Sequence, residues 1–180
     1  MVLKKIIYLV LIAVFISSCG IFSDDLPFDK KALTYKNQFV FDNQFRMNGM
    51  YLTYFEKDKY WSLRYFFQNG SYFSVAIDES NSDYSFLKCW DIHQREREIP
   101  YYWGCFIVED NILKIQTFDA TSLNYSTKYR VKERWAEIVN DTTIHFFKEI
   151  RRGQERELDE TFHFRHCENK PDSTNILMRN

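Results

Sequence analysis

The sequence predicts a mainly β protein, with about eight antiparallel strands in an up-and-down meander closing into a small barrel. Three observations carry this. Aromatic residues make up 18% of the chain, with 12 Tyr and 17 Phe against 5 Gly and 3 Pro, a composition that suits half-buried pleated surfaces. Strand-length runs alternate with turn pairs such as Asn69-Gly70, Asp110-Asn111 and Asn140-Asp141. No βαβ rhythm appears, and an eight-stranded meander can close without leaving an edge.

In chain order, residues 35–47 are aromatic and polar without a clean period and are expected to cap one end of the domain. Strands follow at 49–56, 60–68 and 71–77. Asn69-Gly70 reads as a two-residue type I′ hairpin, which needs positive φ at both central positions. That register sets Phe66 opposite Phe73, Arg64 opposite Val75 and Phe67 opposite Tyr72.

One helical insertion is expected near 83–97, capped by Ser82 or Asp83. Phe86, Trp90 and His93 recur there at helical spacing, Lys88, Asp91 and Glu98 form its polar side, and Pro100 stops it. Strands resume at 102–109 and 112–118. From Asn124 the alternation sets Tyr129, Val131 and Trp135 on one face and Lys128, Arg130, Lys132 and Arg134 on the other. The basic face reads as wet. Strands at 142–151 and 161–167, separated by a charged loop about Gly153, complete the set. Residues 168–180 read as a disordered tail.

The start of the chain has a different character. Lys4 and Lys5 precede an apolar run over residues 6–16, about half the length a bilayer span needs, which is the layout of a secretory signal. Ile16-Ser17-Ser18-Cys19 resembles the lipobox of bacterial lipoproteins, where Leu more often stands at the position of Ile16. The resemblance implies a cleaved signal over 1–18 and diacylglycerol and an N-acyl chain on Cys19; the mixed charge, Pro27 and lack of period in residues 20–33 read as a tether, so that lipidated Cys19 and tether span 19–34. Two or three acyl chains would anchor stably where one would not. Gly20, rather than an Asp, then implies the outer membrane. The competing reading is an ordinary cleaved signal with a cysteine nearby.

Without residues 1–18 about 162 remain, enough for one domain over 35–167. Of 24 basic residues against 25 acidic, loss of Lys4 and Lys5 leaves 22 against 25, about −3. That charge excludes the basic footprint of a nucleic-acid binder. Besides Cys19 there are Cys89, Cys105 and Cys167. Either Cys89 and Cys105, the closest pair, form a disulfide, or all three are small core residues.

Arg46-Met47-Asn48-Gly49-Met50-Tyr51, the 66–70 hairpin, Trp103-Gly104 and Ile138-Val139-Asn140-Asp141-Thr142-Thr143 resemble a group of small bacterial lipoproteins with a lipocalin-like barrel, over most of residues 46–166. Gly49-Met50-Tyr51 is similar to the lipocalin Gly-x-Trp opening, with Tyr51 in place of the Trp. The resemblance implies that Tyr51 packs under an Arg of the last strand, for which Arg165 is the candidate. It implies no activity.

No nucleophile elbow, zinc-protease helix, phosphate loop or dinucleotide fingerprint occurs, so no catalytic residue, metal or cofactor beyond the Cys19 lipid is expected. His163 and His166 are three apart on one strand and point to opposite faces, against a shared ion. Glu133 and Glu137 sit on the apolar face of their strand, about 13 Å apart, too far for a glycosidase pair. They are expected to line a cavity as polar contacts, or else Glu137 sits at the barrel mouth and Glu133 pairs with an inward Arg such as Arg64. The candidate cavity or core residues are therefore Arg64, Phe66, Phe73, Glu133, Trp135 and Glu137. Two functions follow as expectations: a non-enzymatic, membrane-anchored envelope protein holding a small apolar or amphipathic ligand, or a filled barrel that binds an envelope protein.

Overall fold

The computed structural model describes residues 29–39, 44–81, 84–123 and 126–178, with the side chains of 121–123 and 126–128 excepted. Eight strands, β1 (Gly49–Phe55), β2 (Tyr60–Phe66), β3 (Ser71–Asp78), β4 (Trp103–Glu109), β5 (Ile112–Leu123), β6 (Ser126–Asn140), β7 (Thr143–Arg151) and β8 (Gln154–His166), form an antiparallel meander closed by pairing of β8 with β1. The predicted fold class is the observed one. The signal, the lipobox and Cys19 lie outside the described residues.

Turn chemistry sets the registers. Asp110 (φ 48°) and Asn111 (φ 71°) both adopt the left-handed conformation between the paired residues Glu109 and Ile112, which makes this the type I′ hairpin. The Asn69-Gly70 hairpin is built otherwise. Gly70 N–H donates to Phe67 O (2.9 Å) and Phe67 N–H to Ser71 O (2.9 Å), with positive φ at Gly70 (78°) and not at Asn69. This is a three-residue loop closed by a glycine bulge. It slips the expected register by one, so Phe66 faces Tyr72, Tyr65 faces Phe73, and Arg64 faces Ser74. A one-residue slip exchanges faces. Phe66 and Phe73 accordingly lie on opposite sides of the sheet.

Two cores result. The inner one fills the barrel end near the β2–β3 and β6–β7 turns with Tyr51, Phe66, Phe106, Ile144, Phe146 and Phe162. Phe45 and Met47 insert among these side chains, and the Phe39 ring lies 4.5 Å from that of Phe106, so the segment before β1 caps this end as expected. The outer core lies on the convex side of β1–β4, where Met50, Leu63, Tyr65 and Phe73 are covered by Phe86 and Ile92 of the insertion, Leu33 of the N-terminal segment and Leu177. Both faces of these strands are thus aromatic because both are buried.

The insertion is not one helix. It comprises short 3-10 turns and a five-residue helix α1 (Gln94–Glu98), joined by extended chain. The expected capping residues Ser82 and Asp83 lie outside the described residues. Trp90 is drawn out of helical geometry by Tyr65, whose hydroxyl donates to Trp90 O (2.9 Å) and accepts from Trp90 N–H (3.0 Å). At the start of α1 the Glu96 carboxylate accepts from His93 N–H (2.9 Å).

The disulfide joins Cys89 to Cys167 across 78 positions, with Cα atoms 5.3 Å apart, and not to Cys105. Cys105 is buried and free on β4, its thiol pushed up to about 12 by burial. Cys89 instead follows the insertion to the barrel end where β8 leaves the sheet. The bridge pins the covering segment to the chain end, and residues 168–178 are packed rather than free. Lys170 Nζ donates to the carbonyls of Met47 and Phe66, and Asn175 is buried. Part of the expected tether is packed too, because Leu33 belongs to the outer core.

Candidate ligand site at the barrel mouth

The opposite end of the barrel is not filled. A cavity of about 260 Å³ opens there, walled by Phe55, Tyr60, Tyr101 and Tyr102 and floored by Arg64, Tyr72, Lys132, Arg134 and Glu160. Parity explains the floor. On β6 the inward phase of Ala136 and Ile138 continues to Arg134 and Lys132, paired with inward Ile115 and Thr117 of β5. On β7 a bulge between Phe146 and Lys148 shifts the phase, so that after inward Phe146 the next inward residue is Glu149, paired with Arg134. On β8 Glu160 stands opposite Phe146.

The expected faces of β6 are therefore reversed. Lys132 and Arg134 point inward, while Glu133, Trp135 and Glu137 point outward. Glu133 accepts hydrogen bonds from Gln116 Nε2 (3.1 Å) and Trp135 Nε1 and does not pair with Arg64. Trp135 lies between the ammonium groups of Lys114 and Lys148, 4.7 and 3.6 Å from its ring. Glu137 is exposed beside Ile112 and His145. Of the six expected cavity or core residues, Arg64 lines the cavity, Phe66 lies beneath it in the inner core, and Phe73 belongs to the outer core.

Arg165 does not cover Tyr51. It stands opposite Met50 on the outer face, where its Nη1 donates to Leu87 O (3.1 Å). Tyr51 packs inward against Phe45, Phe66 and Phe164, and its hydroxyl donates to Asp141 O (3.2 Å). Arg46 is the neighbouring cation, 5.7 Å over Phe164 and bound to Asp141 (2.8 Å).

The floor is a buried charge network. Arg64, 3% exposed, stacks between the Phe146 and Phe162 rings (4.2 and 4.1 Å). It donates from Nη1 to Tyr72 Oη (2.6 Å) and from Nη2 to Glu160 (3.5 Å), and its Nε has no partner. Arg134 donates to Glu149 (2.7 Å) and Glu160 (3.3 Å). Burial pushes the Glu149 carboxyl up, but Arg134, Lys132 and Arg156 outweigh it, and the net displacement is downward. Lys132 makes no ion pair among the described residues. Burial, and then repulsion from Arg134, push its ammonium down to about 8. Asp119 at the rim is held by Arg151 through two bonds (2.7 and 2.8 Å).

Sequence reasoning misses the carboxylates of this network, because Glu149 and Glu160 lie on strands that reach Arg64 and Arg134 only through the closed barrel. The signal for the face of β6 is present in the sequence, since Ala136 and Ile138 continue the phase of Lys132 and Arg134. Among the described residues no three His, Cys, Asp or Glu side chains converge as a metal site would require, and His163 and His166 are both exposed. No family model matches this chain, and neither a curated protein nor a solved structure is found that does.

Proposed function

We propose that this chain is a lipid-anchored envelope protein, without enzymatic activity, that holds a small molecule in the mouth of a lipocalin-like barrel. The observation that carries the binding role is the difference between the two barrel ends. One is packed with aromatic rings under Phe45 and Met47, whereas the other keeps a cavity of about 260 Å³ whose floor carries charged side chains. Small barrels are either filled by their own residues or hold one small ligand, and here the two conditions divide the same barrel. Small-molecule pockets usually begin near about 300 Å³ with mostly apolar linings; at about 260 Å³ and with a charged floor, this one lies below the size expected of a carrier of apolar ligands and suits a small polar or charged molecule.

The anchoring rests on Ile16-Ser17-Ser18-Cys19, which would carry the acyl chains and set the barrel at the outer membrane. Replacing Cys19 by Ser should move the protein from the membrane to the soluble fraction, and continued membrane retention contradicts the anchor. For the ligand, native mass spectrometry of the chain taken from its own host should give an added small mass that disappears on unfolding.

The alternative is a protein-interaction module with no ligand. It is favoured by the extent of the filled end, and it predicts no added mass beyond the covalent lipid, together with co-purification of an envelope protein.

A further inference from the structure

The charges at the mouth do not balance, and the imbalance has a definite size. Facing the interior are three cations, Arg64, Lys132 and Arg134, and two anions, Glu149 and Glu160. Arg134 engages both carboxylates, at 2.7 and 3.3 Å, and Arg156 reaches Glu149 as well (3.5 Å). Arg64 is held by Tyr72 Oη (2.6 Å) and by the Phe146 and Phe162 rings, has one marginal carboxylate contact, to Glu160 (3.5 Å), and keeps a buried Nε without a partner. Lys132 has no carboxylate within 4 Å among the described residues. The rim adds no compensating anion, since Asp119 is already bound by Arg151 and approached by Arg152. One positive charge at the mouth, that of Lys132, therefore has no carboxylate in contact with it, and a charge partly withdrawn from water without such a partner is costly.

We propose that the mouth is a monoanion site, in which Lys132 receives the carboxylate of a small aromatic or short-chain acid, above the buried positive charge of Arg64, and the apolar part of the acid lies against Phe55, Tyr101 and Tyr102. This assignment rests on the ligand-holding reading and names the class of its ligand. A single negative charge cancels the excess, and a carboxylate accepts strong charge-assisted hydrogen bonds from an ammonium donor. Size sets the rest. A cavity of about 260 Å³ equals about nine water volumes of about 30 Å³, room for an acid of benzoate size but not for a long acyl chain.

The test is calorimetric titration of the full chain at pH 7 with benzoate, benzamide, phenyl phosphate and inorganic phosphate in turn. Benzoate should bind at least about tenfold tighter than neutral, isosteric benzamide. Lys132→Met should lose at least that factor, while Lys132→Arg keeps binding within about threefold. Lys132→Met removes a half-buried charge and should be more stable than the parent, so its loss of binding is not a loss of fold; urea unfolding of the same sample checks this.

Benzamide binding as tightly as benzoate would overturn the anion assignment and leave the ligand-holding barrel standing. Tighter binding of phenyl phosphate or inorganic phosphate would overturn the carboxylate in favour of a phosphate site. No binding of any of the four below about 10 mM would overturn the assignment, and the added mass sought from the host then judges the ligand-holding reading separately.

Discussion

Replacing Lys132 by Met should stabilise the protein. The ammonium sits in the cavity floor among Arg134, Arg64, Glu149 and Asp119, and its pKa falls from 10.5 to about 8. At about 1.36 kcal/mol for each pH step, that displacement sets a ceiling of about 3 kcal/mol on what the charged form costs in the folded state. The residue is partly open to solvent, which brings the expected gain down to about 1 to 2 kcal/mol.

Because the folded-state pKa lies below the unfolded one, the unfolded chain binds more protons between about 8 and 10.5, and parental stability rises with pH across that window. The advantage of Lys132→Met should be complete below about pH 8 and fade above it. Urea unfolding of both proteins at pH 7 and pH 10 measures this. A destabilised variant, or a gain equal at the two pH values, refutes an uncompensated ammonium in the mouth.

Further outcomes follow from the same structure. Phe66→Ala removes a ring buried at the centre of the inner core and should cost about 3 to 5 kcal/mol in chemical denaturation; a loss under about 1 kcal/mol would mean that the ring is not core. Arg134→Met leaves Glu149 and Glu160 without their common partner and should cost about 3 to 5 kcal/mol. Because the folded-state pKa of Glu149 is depressed, its contribution is present above the ordinary carboxylate pKa and is lost as pH falls through the lowered one. Glu149→Gln should therefore flatten the acid limb of the stability profile. Replacing Cys89 and Cys167 together by Ser opens a loop of 78 positions and should cost up to about 4.5 kcal/mol by loop entropy, while thiol reagents should leave buried Cys105 unmodified until the chain unfolds.

Strand number, order and most boundaries are legible in turn pairs and alternation, because these are local. The faces of the strands are legible only in part, on β6 through the phase of Ala136 and Ile138. Alternation on β6 separates Lys132 and Arg134 from Val131 and Trp135, but which set is inside depends on the carboxylates of Glu149 and Glu160 waiting across the barrel, and on a bulge in β7 that brings Glu149 inward. Two short segments depart from their local patterns for similar reasons. Asn69-Gly70 holds its glycine φ but not its two-residue loop, and Gly70 also lies so close to Phe39 that an added Cβ would come within 2.6 Å of that side chain. Trp90 has helical spacing to Phe86, but its backbone groups are taken by the Tyr65 hydroxyl, 25 positions away. Cys89 finds its partner in Cys167 because the insertion and the chain end meet over the outer core, a contact that no sequence spacing announces.

The most direct measurement of the central claim is native mass spectrometry of the full chain from its own host, compared with the same sample after unfolding. A small added mass on the folded protein, absent after unfolding and absent from Lys132→Met, is the result predicted for a barrel that holds an acid at its mouth. One unchanged mass in both samples, that of the processed polypeptide with its covalent lipid, with an envelope protein retained on the folded one, would contradict it.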